Sequence, residues 1–302
     1  MSPELILFAQ RYRWFLRIFS LWVACTPAHW RPVFIFVLGR WLNPFQLHRD
    51  QILRSVGLAL PENSENQIWL SWLDSHIRFT LDFLNYKSLN TAWLAKNVNI
   101  ADRDLLASLR ESGGLLLTYH THHQNTLCCV LGLEGIKISA IAAAPEGSPL
   151  FSYIGRWAQQ LNSDSAHHFK GGGYIFTDNL RKLLQITRER LSQRDVVLCL
   201  CDFHQPKEGI ASRAKIFDRL IAPPTGAIEI AIKQGAPIFT AIFAPQNGKL
   251  VLNLKRLDDS GEVGTIIAGY FSFLESNIRK NPACWQGWEW FEDLPLANRV
   301  DP

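Results

Sequence analysis

The chain alternates short apolar runs with amphipathic stretches, and this alternation limits what it can fold into more than any other feature. Runs of strand length occupy residues 115–119, 137–141, 196–201 and 238–243, while residues 150–160, 178–192 and 226–233 carry helical periodicity between them. Strands alternating with helices predict an α/β fold, a mostly parallel central sheet with helices on both faces. Residues 250–254 read as an edge strand, joined through the turn Gln246-Asn247-Gly248. Upstream, residues 65–86 and 102–110 read as further helices, with Asp102 capping the second.

A chain of 302 residues with 47% hydrophobic composition can bury a full core. Two parts are expected, a basic, aromatic-rich segment over residues 1–60 and an α/β domain over residues 61–302. The first part holds seven arginines against only Glu4 and Asp50, together with Trp14, Trp22, Trp30, Trp41 and several phenylalanines. Arginine beside tryptophan suits a bilayer interface. Its apolar runs, residues 14–25 and 33–39, fall short of the roughly 20 residues that span a membrane, so helices lying in the membrane face are expected. A docking helix within the fold is the alternative. The acidic Glu4 and the interrupting Arg17 argue against a signal peptide. Basic clusters with interleaved aromatics do not recur downstream, so nucleic acid is not an expected partner. The six cysteines form no CxxC pair and read as reduced thiols of a cytoplasmic environment.

The most informative position is His120. The run behind the Gly113-Gly114 breaker delivers it to a strand-to-helix corner, in Tyr119-His120-Thr121-His122-His123-Gln124-Asn125. Loops at strand ends carry much of α/β chemistry, and an imidazole there suits a general base. A metal site is disfavoured. His120, His122 and His123 are too crowded to ligate together, and no cysteine pair or second carboxylate lies nearby to complete a shell, although Asp202 and His204 could add ligands from another strand end. Gly171-Gly172-Gly173 matches no phosphate-loop pattern and reads as a loop, with His167 to Lys170 ahead of it as a lid or head-group contact. The run 196–202 is an apolar strand ending in the carboxylate of Asp202, and Pro223-Pro224-Thr225-Gly226 is a turn running into a helix that stops at Gly235-Ala236-Pro237.

The order of these pieces resembles the late acyltransferases of lipid A biosynthesis, the lauroyl and myristoyl transferases of the lysophospholipid acyltransferase superfamily. Residues 114–125 look like the segment in which a strand leads into that family's HxxxxD/E motif. Residues 196–202 resemble its strand ending in Pro-Asp, with Cys201 where the proline would be. Phe217-Asp218-Arg219, Pro223-Pro224-Thr225-Gly226 and Gly235-Ala236-Pro237 are similar to its Phe-x-Gly, Pro-Thr-Gly and Gly-Ala-Pro series, with Arg219 in place of the first glycine. Asn281-Pro282 with Trp285, Trp288 and Trp290 resembles its Trp-rich ending, and the basic aromatic N-terminus its membrane anchor.

The resemblance implies transfer of a fatty acyl group from an acyl carrier protein or coenzyme A thioester to a hydroxyl, or amine, of a lipid-like or carrier-bound acceptor. His120 is then the general base and no cofactor is needed. Amides at the start of the following helix are expected as oxyanion donors. Peripheral or N-terminally anchored placement on the cytoplasmic face of the inner membrane is also implied. The carboxylate expected five residues after His120 is Asn125. Three arrangements are open: Asn125 orients His120 in a slower enzyme, which is preferred; Asp202 supplies the carboxylate from a neighbouring strand; or the chain is a catalytically silent lipid- or carrier-binding subunit. His122 and His123, where the family has small or amide residues, favour a divergent acceptor, with His123 a candidate substrate contact. Lys170, Arg213, Lys215 and Arg219 are candidates for a phosphate of the carrier or acceptor, while Thr225 and Gly226 shape the turn beside the site.

Overall fold

The computed structural model describes residues 3–26, 40–41, 48–142, 156–176, 179–203, 213–257 and 261–297. Among the described residues the first full helices are α1 (Pro3–Cys25), α2 (Arg49–Ala59) and α3 (Glu65–Asn85). They are followed by α4 (Thr91–Asn97), β1 (Val98–Ile100), α5 (Arg103–Ser112), β2 (Gly114–Thr118), α6 (Gln124–Leu133), β3 (Ile138–Ala142), α7 (Arg156–Ala166), β4 (Gly173–Phe176), α8 (Leu180–Ser192) and β5 (Val196–Leu200). A hairpin, β6 (Ala214–Ile216) and β7 (Arg219–Ile221), precedes α9 (Gly226–Gln234), β8 (Ile238–Gln246), β9 (Lys249–Arg256) and α10 (Val263–Lys280).

Among the described residues, seven strands form one sheet in the order β1-β9-β8-β2-β5-β3-β4, parallel except for the antiparallel pair β8–β9. The alternating side chains of β2 sort its core onto two faces. Leu115, Leu117 and Tyr119 join a cluster with α2, α3, α9 and α10, and Leu116 joins one with α5 and α6. Helices therefore cover both faces, as the alternation of elements predicts.

Local chemistry sets most boundaries. Asp102 caps α5 by accepting from the Leu105 amide, Asn179 caps α8 through the Lys182 amide, and Gly235 ends α9 in the left-handed conformation at φ 63°. Gly113 and Gly114 turn the chain from α5 into β2 at φ 65° and 130°. A Cβ on Gly114 would stand 2.3 Å from the Pro237 carbonyl oxygen, so both its conformation and its spacing exclude other residues. Gly114→Ala is expected to destabilise the fold by about 3 kcal/mol or more, and a thermal midpoint equal to wild type would refute this.

One strand expectation is corrected, and two edge strands had no sequence signal. Residues 250–254 lie within β9, which is not an edge strand because β1 pairs with its outer side. The sequence signal missed β1, whose three residues are too few for periodicity to register. The loop expected at Gly171–Gly173 holds for Gly171 and Gly172, while Gly173 opens β4, the opposite edge of the sheet. The glycines serve packing there, since a Cβ on Gly172 would stand 1.7 Å from the Ile138 carbonyl oxygen. The helix expected over 150–160 is described over Arg156–Ala166. The apolar run 33–39 lies outside the described residues.

The N-terminal helix α1 buries Tyr12, Phe15, Leu16 and Phe19 against Ile77, Tyr86, Leu89 and Cys129. Its other side exposes Leu7, Trp14, Ile18 and Leu21. No described helix is long and apolar enough to cross a membrane.

Candidate active site

The parallel register of β2 and β5 builds the site. Thr118 pairs with Leu200 at the carboxyl ends of the two strands, and the Cys201 amide donates to the Thr118 carbonyl at 2.9 Å. Two residues further on, His120 and Asp202 therefore emerge side by side, in the region outside the carboxyl ends of strands where α/β sheets bind ligands.

His120 Nδ1 lies 2.7 Å from Asp202 Oδ1, and the His120 amide donates to both carboxylate oxygens at 3.0 Å. Trp285 Nε1 donates to Asp202 Oδ2 at 2.8 Å. A carboxylate can only accept, so Nδ1 carries the proton and the lone pair of the neutral ring sits on Nε2. Asp202 is fully buried, whereas His120 keeps 27% of its side chain exposed. Burial disfavours the imidazolium of His120, but the charge and hydrogen bond of Asp202, with a smaller effect from Glu289, outweigh it and raise the His120 pKa above its ordinary value. Glu289 itself is pushed up to about 7 by burial, partly offset by His120.

The C-terminal turns hold this corner. The Gln286 amide donates to the His120 carbonyl at 2.9 Å, and Gln286 Nε2 donates to His122 Nδ1 at 2.8 Å. Trp72 Nε1 donates to the Trp285 carbonyl at 3.0 Å, and the Trp290 ring meets the His120 ring edge-on with centroids 5.3 Å apart. Trp285 and Trp288 are fully buried.

His120 opens onto a cavity of about 780 Å³ whose walls are largely apolar, including Ile141, Leu180, Leu183, Leu184, Leu200 and Phe203. Its size and lining suit a small hydrophobic ligand met by few polar groups. Thr225 and Gly226, at the start of α9, line it as well.

The other residues singled out from the sequence fall elsewhere. Asn125, the second residue of α6, makes no hydrogen bond to His120, and Asp202 occupies that place. His123 is fully buried off the cavity, its Nδ1 3.8 Å from Asp82 Oδ2, and burial above all lowers its pKa to about 3. Lys170, Arg213 and Lys215 are exposed and do not line the cavity. Arg219 does not line the cavity; it donates to the Leu294 carbonyl at 2.9 Å and lies over the Phe291 ring. No residue of α6 lines the cavity, so the helix expected to supply oxyanion amides does not border it. Reasoning from sequence missed Trp285, Gln286 and Glu289 as neighbours of the site. The tryptophan cluster signalled the segment, but nothing local ties it to residues some 165 positions earlier. Among the described residues, no group of three or more histidine, cysteine or acidic side chains is arranged to hold a metal ion, and His204 lies outside them.

No protein of curated function matches the chain. Among solved structures it is similar to the 1-acyl-sn-glycerophosphate (LPA) acyltransferase PlsC from Thermotoga maritima, at 14% identity and a TM-score of 0.38, over 85% of this chain and 98% of that one. A family model described as bacterial lipid A biosynthesis acyltransferase matches residues 3–292, nearly the whole length. The chain belongs to the bacterial lipid A biosynthesis acyltransferase family.

Proposed function

We propose that this protein moves a fatty acyl group from an acyl carrier protein or coenzyme A thioester to a hydroxyl, or amine, of a lipid-like or carrier-bound acceptor, with His120 as general base and Asp202 as its partner. The observation that carries this reading is the 2.7 Å contact between His120 Nδ1 and Asp202 Oδ1 at the wall of an apolar cavity of about 780 Å³. The acyl chain lies in the cavity and brings its thioester carbonyl to His120. Nε2 takes the acceptor proton as the acceptor oxygen bonds to the carbonyl carbon and the carbonyl π pair moves onto oxygen. When the intermediate collapses, the C–S bond breaks and the imidazolium returns the proton to the departing thiolate. Asp202 stabilises the imidazolium between these steps. An intact histidine–carboxylate pair favours this over a silent binding subunit.

The test is mass spectrometry of acyl carrier protein and coenzyme A thioesters incubated with the protein and a bacterial membrane lipid extract. A new acylated product is expected. Intact thioester across donors and extracts would overturn the reading.

We propose further that α1 seats the protein on the cytoplasmic face of the inner membrane. Leu7, Trp14, Ile18 and Leu21 share one exposed side of the helix, and 3.6-residue geometry puts Arg11 on one flank of that stripe and Arg13 and Arg17 on the other. An apolar stripe flanked by arginines suits a helix lying in an anionic interface. Replacing Trp14 and Leu21 together by Glu is expected to weaken binding to vesicles containing anionic phospholipid by about tenfold or more. Unchanged vesicle binding would remove the assignment.

A further inference from the structure

Besides the apolar cavity, the carboxyl end of the sheet carries a polar pocket of about 280 Å³. It lies between α3, the Gln246-Asn247-Gly248 turn that joins β8 to β9, and the segment after α10. β8 runs parallel to β2, so this turn stands at the same end of the sheet as His120. Strand order separates the two spaces: the apolar cavity is lined from β3 and β5, the pocket from the tip of β8, and β2 lies between them. Ala283 lines the pocket, and three residues on the Gln286 amide donates to the His120 carbonyl, a span of at most about 11 Å along the chain. His120 therefore stands between an apolar space and a polar one.

Two groups of the pocket lack a partner. Ser75 is only 6% exposed, and its hydroxyl makes no hydrogen bond among the described residues. Unlike the Ser55 hydroxyl, which is unpartnered and fully enclosed, that of Ser75 keeps surface open to the pocket. Ser71, Ser75 and Arg78 follow the 3.6-residue period along one face of α3. Arg78 is half-buried and forms no hydrogen bond or ion pair among the described residues. The carboxylates nearby leave its charge unmatched. Asp74, the one acidic residue among the described lining residues, accepts from Arg40 at 2.7 and 2.6 Å. Asp82 feels the Arg78 charge without pairing to it, and burial pushes its carboxyl up to about 7. A guanidinium carries five N–H donors and a buried hydroxyl one more, so the site calls for an anion with several acceptor oxygens.

We propose that this pocket binds a phosphate group, with Arg78 as its cation and the Ser75 hydroxyl as a donor. Phosphate offers two oxygens to the guanidinium fork and a third to the hydroxyl, whereas a carboxylate has only two in all. The side-chain amides of Gln246 and Asn247 at the turn add neutral donors at the rim. The use of the pocket in the reaction rests on the acyl-transfer reading above, but the binding itself does not. With the acyl chain in the apolar cavity and a phosphate held on the other side of His120, the reacting groups are brought to the base from two directions. The phosphate belongs to the acceptor head group or to the phosphopantetheine of the donor, and the same chemistry serves both.

The experiment titrates inorganic phosphate into the full chain by phosphorus NMR, in wild type, Ser75→Ala, Arg78→Gln and Lys249→Gln. Lys249 is exposed beside the same turn and lines neither space, so it controls for diffuse attraction. The phosphate Kd is expected to rise about tenfold or more in Arg78→Gln and about fivefold in Ser75→Ala, and to stay within about twofold in Lys249→Gln. Ser75→Ala removes one oxygen from a helix, where alanine is the strongest helix former, and so covers any misfolding of the arginine variant. No phosphate binding by wild type, a wild-type Kd in Ser75→Ala, or an equal loss in Lys249→Gln overturns the proposal. Transfer from dodecanoyl thioesters to membrane lipid extract then assigns the source. A KM for the extract raised about tenfold in Arg78→Gln, with the donor KM unchanged, places the phosphate on the acceptor, and the reverse pattern places it on the donor. Both KM values within about twofold of wild type overturn the role in transfer. No transfer by wild type, beside phosphate binding that is lost in the two pocket variants, overturns the acyl-transfer reading and leaves the site standing.

Discussion

His120→Ala is expected to lower kcat for acyl transfer by between about 100-fold and 10,000-fold while the donor KM changes little, because a hydroxyl is a poor nucleophile until its proton is taken. The imidazole also sets the pH dependence. Its pKa lies above the ordinary 6.5, since Asp202 and Glu289 favour the imidazolium more than burial disfavours it. Only the neutral ring can accept the proton, so kcat/KM falls as pH drops through a midpoint above 6.5. An acidic limb at or below that value, or an alanine variant as active as wild type, would remove His120 from the base role.

Asp202→Asn is the second large effect, with a loss of about 1,000-fold. The carboxylate receives three donors: the His120 amide, His120 Nδ1–H and Trp285 Nε1–H. An amide offers a single acceptor oxygen, and its NH2 group must face one of these donors. The substitution therefore disturbs the tautomer of His120 as well as removing the charge that stabilises imidazolium. Asn125→Ala, by contrast, is expected to keep kcat within about threefold, because no hydrogen bond joins Asn125 to His120. Measuring the two variants side by side decides which residue supports the base. Near-normal activity in Asp202→Asn with a large loss in Asn125→Ala would reverse the assignment.

Much of the fold was legible along the chain because its cues are local. The apolar runs ending at Tyr119 and Cys201, the cap Asp102 and the stops at Gly113 and Gly235 each act within a few residues, so strand, helix and corner could be placed from composition and spacing. The short strands were less legible. Three or four residues, as in β1 and β4, carry too little periodicity to stand out, and they become strands through the neighbours that pair with them.

For the site, the sequence determined that a histidine stands at one strand end and a carboxylate at another. Which groups meet there was decided by tertiary structure alone. Asn125 is five residues from His120, yet it belongs to α6 and does not bond to the ring. Asp202 is 82 positions away and within hydrogen-bond distance. That outcome depends on β5 being inserted between β2 and β3, and on a register that aligns Thr118 with Leu200. Strand adjacency is settled by burying both faces of the sheet and satisfying every ladder hydrogen bond at once, a balance over the whole molecule that no local spacing encodes. The same reason brings Trp285 to Asp202 and Trp290 to the cavity: the C-terminal turns must bury their tryptophans, and the surface that accepts them exists only after the sheet has formed.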